Sequence, residues 1–366
     1  MRIALVTSSF FPLRGGLEQH VGNLARELRA HGDDVRIFTR TPGPDVWNDV
    51  PVERLFSSFA LPRALRRFAP DVVHAHGARR PFAACSLLAA RQLRIPSVFT
   101  AHCYYPAHSW SSALKKGLFD STLGWLGLHL ADTLIALTDN DKRDAVLLGA
   151  PAGNFRVIPN ALRLPEAAPS PLPGSPRSLL FVGRLDPVKR VDFLLAALAE
   201  LPGFDLTLIG PDGGHRATLE VQTKALGLAS RVHFLGEVDD ETLAAAYTRC
   251  GLFVLPSAYE GLPTVALEAM AAGRPVLAAA SGGTRYLIRP GENGFLFDPH
   301  NLPELISLIR RCSSADLSRL GAAARQTILE NFTWEVNGAR IRSIYHHFQS
   351  GAIGSGTGRT ATCSSS

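Results

Sequence analysis

The 366-residue chain is poor in cysteine, has no long apolar run and carries no complete signature for metal or dinucleotide binding. Its five cysteines (85, 103, 250, 312 and 363) are odd in number, scattered and never spaced CxxC. That excludes a disulfide framework and predicts a reduced, cytoplasmic protein. No apolar stretch reaches transmembrane length; the nearest, 124–137, is broken by His129 and Asp132. MRIALVTSSFFP opens on a strand pattern, without the regions of a secretory signal. The early glycines are not spaced GxGxxG, so a nicotinamide cofactor is not indicated.

The chain is 46% hydrophobic and 19% charged, an ordinary globular composition with room for two domains. Net charge is +6, with Arg63, Arg66, Arg67, Arg79, Arg80, Lys115 and Lys116 in the first half. No helix-turn-helix, zinc or RNA-binding signature accompanies them, so nucleic acid is not an expected partner. An anionic membrane at its inner face is a possible peripheral contact, helped by 112–130, where lysines mix with Leu, Phe and Trp.

Short apolar runs alternate with helical patterns. RIALVT (2–7), VRIFT (35–39), DVVHAHG (71–77), SVFTAH (97–102) and DTLIALT (132–138) read as buried strands, with a helix at 19–32 after a glycine-containing loop. Residues 163–177, rich in Pro, Ala and Ser without periodicity, read as a linker. The alternation restarts with SLLFVG (178–183), DLTLIG (205–210), RVHFLG (231–236) and LFVLPS (252–257). This predicts an α/β fold of two doubly wound Rossmann-like domains, 1–162 and 178–332, facing a central cleft. A helix at 333–348 follows, and the low-complexity stretch 349–366 reads as disordered.

The most informative stretch is 257–278, SAYEGLPTVALEAMAAGRPVLA. A strand leads through the loop AYEGLP into a helix opening near Thr264 and stopped by Gly273. Backbone N–H groups and the positive end of a helix then lie at a strand's carboxyl edge, where phosphates bind. Glu260 and Glu268 bracket that end. Glu268 has almost entirely apolar neighbours, so its carboxylate needs partners, and ribose hydroxyls would serve. Arg184 and Lys189 follow the end of the 178–183 strand and suit a diphosphate, or else cap a helix and pair with Asp186. Gly15 and Gly16 allow positive φ and close backbone approach. The HxH pair His74 and His76 could hold a metal, but no carboxylate or Cys at suitable spacing completes the set. TDNDKRD (138–144) contains DxD, which reads better as a helix N-cap at Thr138 or Asp139 than as a metal motif.

RGGLEQHV (14–21), DVVHAHG (71–77), TAH (100–102), VIPNA (157–161), FVGRLDPVKRVDFLLAAL (181–198), RVHFLG (231–236) and YEGLPTVALEAMAAGRPVLA (259–278) together resemble the retaining glycosyltransferases of family 4, which have the GT-B fold. The resemblance covers about residues 1–348 and implies transfer of a hexosyl group from a UDP- or GDP-sugar to a hydroxyl, without metal or other cofactor. It implies that Arg184 and Lys189 hold the diphosphate and compensate its growing charge. It further implies that Glu260 contacts the donor sugar, the amides of Gly261, Leu262, Pro263's neighbour Thr264 and the loop around them the β-phosphate, and Glu268 the ribose. The nucleobase would lie near Gly236 to Val238, and Gly15 and Gly16 would reach the donor from across the cleft. His102 matches a TxH strand end that meets the transferred sugar. Glu18 and His20 either touch the acceptor or start a helix, and Tyr104 is grouped with them on the acceptor side. The chain departs from the pattern at Arg285, where glutamate is common, and after VIPNA, where Leu-Arg stands; both bear on donor-sugar identity. The same fold also serves nucleotide-sugar 2-epimerases and could persist in an inactive sugar-nucleotide-binding protein.

Overall fold

The structure is a computed structural model that describes residues 1–13, 15–78, 80–102, 117, 119–164, 177–312 and 317–350. Most of the anticipated linker, the stretch 351–366, Tyr104, Arg79, Lys115 and Lys116 lie outside the described residues.

The first sheet contains β1 (Arg2–Thr7), β2 (Asp34–Thr39), β3 (Val46–Trp47), β4 (Val50–Arg54), β5 (Val72–His76), β6 (Ser97–Thr100), β7 (Thr133–Ala136) and β8 (Phe155–Val157) in the order β3-β4-β2-β1-β5-β6-β7-β8. The second contains β9 (Ser178–Val182), β10 (Asp205–Ile209), β11 (Val232–Gly236), β12 (Leu252–Leu255), β13 (Val276–Ala279) and β14 (Gly294–Phe297) in the order β11-β10-β9-β12-β13-β14. Every pairing is parallel except β3 with β4. β3, β4, β8 and β14 were not anticipated from the sequence: β3 and β8 span only two and three residues, and Pro51, Glu53 and Arg54 interrupt the apolar pattern of β4.

Both faces of each sheet are covered, which is why the strands read as apolar runs instead of alternating patterns. In β1, Ile3 and Leu5 face one core and Ala4 and Val6 the opposite one. The helix Gly16–Ala30 buries Val21, Leu24, Ala25 and Leu28 against the first of these cores. Those positions form a single helical stripe. Its start precedes the expected residue 19 because Gly15 supplies the extended N-cap, with Gln19 N donating to the Gly15 carbonyl at 3.0 Å.

The helix Trp334–Gln349, with Thr333 as its side-chain N-cap, lies against Gly16–Ala30. Trp334, Ile341 and Tyr345 are buried in the first sheet's core although they follow the second sheet in sequence. Asn337 Nδ2 donates to the carbonyls of Pro159 and Asn331, at 3.2 and 2.9 Å, fixing the crossing. Trp334→Ala should therefore lower stability by about 3–5 kcal/mol, the usual cost of removing a buried aromatic. Denaturant unfolding followed by far-UV circular dichroism measures it; an unchanged midpoint would mean that the helix is not part of this core.

Candidate functional site at the facing sheet edges

β1 lies between β2 and β5, and β9 between β10 and β12. At both places consecutive crossovers leave in opposite directions, opening a crevice beyond the strands' carboxyl ends. The loop after β1 leads to Gly15 and Gly16, and β5 ends at His76. The loop after β9 carries Arg184 and Lys189, and that after β12 carries Glu260.

In the second crevice Lys189 Nζ lies 2.7 Å from Glu260 Oε1, with Glu260 buried. Asp186 helps to aim the lysine: its carboxylate accepts from the amides of Val188 and Lys189 at 3.0 and 3.3 Å. The same carboxylate takes Arg184 Nε at 2.7 Å, and the arginine side chain is 66% exposed. Here the alternative reading of Arg184, a pairing with Asp186, is the one realised, because the two residues are only two positions apart in one turn.

The helix Thr264–Ala271 begins after Pro263 with no side chain capping it. Leu262 and Pro263 are buried, and Val238 packs against the second sheet's core. Gly236 ends β11 at φ +69°, a turn that suits glycine. Glu268 does not depend on a ligand for a partner, contrary to the sequence expectation. Tyr247 Oη donates to its Oε2 at 2.7 Å. Burial raises the Glu268 pKa, and the Tyr247 hydrogen bond opposes that rise. A second Glu268 oxygen leaves room for further donors.

Behind the 260–263 loop stands Ser281-Gly282-Gly283. A Cβ on Gly282 would lie 2.0 Å from the Glu260 carbonyl oxygen, and one on Gly283 1.5 Å from that of Gly261. Gly283 N donates to the Glu260 carbonyl at 2.9 Å. Two backbones in direct contact thus hold the loop that carries Glu260. Arg285, next to this turn, is exposed.

In the first crevice neither Gly15 nor Gly16 has the positive φ that motivated interest in them. Gly15 is extended at φ −172°; a Cβ there would meet Glu18 Oε2 at 2.6 Å, whereas Gly16 faces open space. Glu18 and His20 both lie within the helix Gly16–Ala30 and are buried. β6 ends at Thr100, two residues earlier than expected, and His102 adopts φ +71°. That left-handed turn is uncommon outside glycine and is often retained at functional sites. It brings His102 against His20 (ring centroids 4.7 Å) and to 3.2 Å between its Nε2 and His76 Nδ1.

The histidines were expected to act singly, with His74 and His76 as the only pair. Instead His74 is spoken for, with Nδ1 2.5 Å from Tyr345 Oη and Nε2 2.8 Å from Thr100 Oγ1. His76 groups with His20 and His102, one ligand atom from each lying within 4.8 Å of the others. The missing third member of a metal-competent set therefore comes from the fold, so the spacing objection raised on the sequence does not hold. All four imidazoles are pushed toward the neutral form, chiefly by burial.

Asn160 of the VIPNA motif, given no role on sequence grounds, joins the two crevices. Its Nδ2 donates to the Leu262 carbonyl at 3.5 Å, and its Oδ1 lies 3.0 Å from His20 Nδ1. With the Asn160 oxygen accepting, His20 carries its proton on Nδ1 and presents Nε2 as an acceptor. Asn140 Nδ2 makes a second crossing to the Gly282 carbonyl at 3.4 Å. The motif itself was a signal for Asn160; nothing in the run LAAAYTRC singled out Tyr247.

Two parallel sheets whose switch-point edges face one another define the GT-B class. Comparison with known proteins agrees. Residues 14–164 match the family described as Glycosyltransferase Family 4, and 165–327 match Glycosyl transferases group 1. Glycogen synthase of Mycobacterium tuberculosis is 30% identical over 395 residues, spanning 94% of both chains. D-inositol 3-phosphate glycosyltransferase of Corynebacterium diphtheriae is also 30% identical, over 406 residues and 94% of both. Among solved structures, sucrose-phosphate synthase from Thermosynechococcus elongatus superposes with a TM-score of 0.82 at 25% identity, covering 96% of this chain and 99% of that one. Anabaena HepE in complex with UDP-glucose has the same fold, with a TM-score of 0.79 at 23% identity over 94% and 99% of the two chains. The chain belongs to the family 4-like glycosyltransferases of GT-B fold.

Two outcomes follow from the site's geometry. His20 has its pKa lowered from 6.5 to about 4. Between those values the unfolded chain binds a proton that the native state refuses, so this contribution is complete above about 6.5 and is lost as pH falls toward 4. His74, His76 and His102 are shifted in the same direction, so stability should fall on acidification by about 1.4 kcal/mol per pH unit for each titrating imidazole. Urea midpoints across that range measure it, and His20→Gln should flatten the slope. Gly283→Ala should displace the Glu260 loop and raise the Kd of any ligand held by that loop by about tenfold or more, as about 1.4 kcal/mol of lost contact would. Unchanged calorimetric affinity would show that the backbone contact does not shape the site.

Proposed function

We propose that the enzyme moves a hexosyl group from a UDP- or GDP-linked sugar to a hydroxyl acceptor, with retained anomeric configuration and without a metal. The Lys189–Glu260 pair at the β9/β12 switch point, 2.7 Å apart and beside a helix start without a side-chain cap, carries this reading. A diphosphate entering the crevice brings negative charge to the lysine, the amides of Gly261 to Thr264 and the positive helix end. Arg184, with its side chain 66% exposed, turns from Asp186 to add a second positive charge. Glu260 then accepts from hydroxyls of the donor sugar, and Glu268 with Tyr247 from the ribose. The base lies over the turn from Gly236 to Val238. The solved complex of HepE with UDP-glucose supports a nucleotide-sugar donor.

Across the cleft, Gly15 and Gly16 approach the donor, and His102 and His20 face the transferred sugar and incoming hydroxyl, with Glu18 on the acceptor side. The acceptor oxygen bonds to the anomeric carbon as the bond from that carbon to the β-phosphate oxygen breaks. The departing phosphate oxygen takes the hydroxyl proton on the same face, which retains configuration. Lys189 and Arg184 compensate the charge that grows on the diphosphate. Neutral imidazoles suit this task, since they accept from sugar hydroxyls without adding positive charge beside the sugar as its bond breaks. The setting is glycan, polysaccharide or glycolipid assembly in the cytoplasm.

Lys189→Ala should lower kcat by about 10²-fold or more. Glu268→Ala should raise donor KM by about tenfold with a smaller effect on kcat, as expected for binding shared by ground and transition states. Steady-state rates over a panel of UDP- and GDP-sugars, with the product anomer assigned by NMR and chelator present throughout, test the reading. An inverted product would remove retention, and a chelator-sensitive rate would remove metal independence. Sugar rearrangement with no acceptor present would favour an epimerase, and donor binding without turnover an inactive binding protein.

A further inference from the structure

Phe56 and Phe59 are 97% and 95% exposed, the most exposed of the large apolar side chains among the described residues. They are not on a frayed loop. Ser57 Oγ accepts from Phe59 N at 3.2 Å and Ala60 N donates to the Ser57 carbonyl at 3.1 Å, closing a capped turn between them. That turn runs directly into the helix Leu61–Phe68, whose Leu61, Ala64, Leu65 and Phe68 are buried in the core. The opposite helix face presents Arg63, Arg66 and Arg67 to solvent. Arg67 pairs with Glu53, while Arg63 and Arg66 have no acidic partner among the described residues. Arg91 and Arg94, also exposed, stand on or at the end of the neighbouring helix Pro81–Leu93, which packs on Leu61–Phe68. Residues 55–119 hold nine Lys or Arg and a single acidic residue, Asp71.

Two large apolar rings held outward into solvent by a capped turn leave their faces free for an apolar partner. Exposed arginines outnumbering the acids around them complement a negatively charged surface. A protruding apolar pair flanked by unpaired arginines matches the boundary of an anionic bilayer, where rings enter the acyl region and guanidinium groups meet phosphates. We propose that the turn Phe56–Phe59 and the arginine face of Leu61–Phe68 form a docking surface for anionic lipid bilayers. It differs from the 112–130 segment suspected on sequence grounds. Leu55 N donates to the Thr39 carbonyl at the carboxyl end of β2, so the turn sits on the sheet edge that also carries His76 and His102. Docking would bring the acceptor side of the cleft close to the membrane. The surface stands on exposure and charge and is independent of the donor chemistry proposed above.

The full-length protein should co-sediment with vesicles of equal parts phosphatidylglycerol and phosphatidylcholine, and not with phosphatidylcholine alone. Phe56→Ser with Phe59→Ser should reduce the bound fraction about tenfold or more while leaving the thermal melting point unchanged, since the rings pack on nothing. Arg63→Gln with Arg66→Gln should weaken binding and remove most of its sensitivity to added salt. Absence of binding to the anionic vesicles overturns the proposal, as does unaltered binding by the double serine variant. Loss of self-association in the serine variant without any vesicle binding would assign the surface to a second copy of the chain and overturn it equally. Vesicle-free binding to duplex DNA with the same arginine dependence, and none to lipid, would also sink it.

Discussion

A parallel sheet must reverse its winding direction somewhere if helices are to cover both its faces, and the reversal leaves one gap beyond the strand ends that no crossover fills. This protein has two such sheets, with gaps after β1 and β9. Nearly everything of chemical interest sits at one gap or the other: His20, His76 and His102 at the first, Lys189 and Glu260 at the second. The residues are far apart in sequence because the strands flanking each gap, β1 with β5 and β9 with β12, are not consecutive in the chain. Glycines are spent where loops must touch backbone to backbone, as at Gly283 against Gly261.

The two gaps are charged differently, and burial explains why. In the first, four imidazoles close together would repel one another if protonated, and desolvation adds to that penalty, so all are held neutral. Hydrogen bonds then set direction: Tyr345 and Thr100 occupy both nitrogens of His74, and Asn160 orients His20. In the second gap a buried carboxylate and an ammonium satisfy one another directly. Such a pair is expensive to isolate and easy to redistribute when a more highly charged group arrives. Asn160 spans the two environments, which makes it a mechanical link between the 260–263 loop and the histidine cluster. The terminal helix reinforces that link, because Asn337 grips the Pro159 carbonyl one residue before Asn160.

Much of this was legible in the primary structure. Apolar runs in β1, β5, β9 and β12 announced a parallel sheet because strands covered on both faces need no polar side. The loop-to-helix step around Thr264 was legible because it depends on local backbone alone. Thr138 reads as an N-cap and is one, with its Oγ1 accepting from Asp141 N. Less visible were the edge strands β3, β8 and β14, and β4 beside β3, whose existence depends on neighbours to pair with. Arg184 was expected to hold a diphosphate; in the structure it pairs with Asp186, two residues away.

The sequence by itself determined the fold class, the run of strands and helices and the loop-to-helix turn at Thr264, since each depends on periodicity and local backbone preference within a few residues. Only the tertiary structure decided that Tyr247 serves Glu268, that His20 joins His76 and His102, and that Tyr345 reaches back 271 positions to His74. Those contacts are set by how helices lie across sheets. A side chain's partner there depends on packing between elements that share no local pattern.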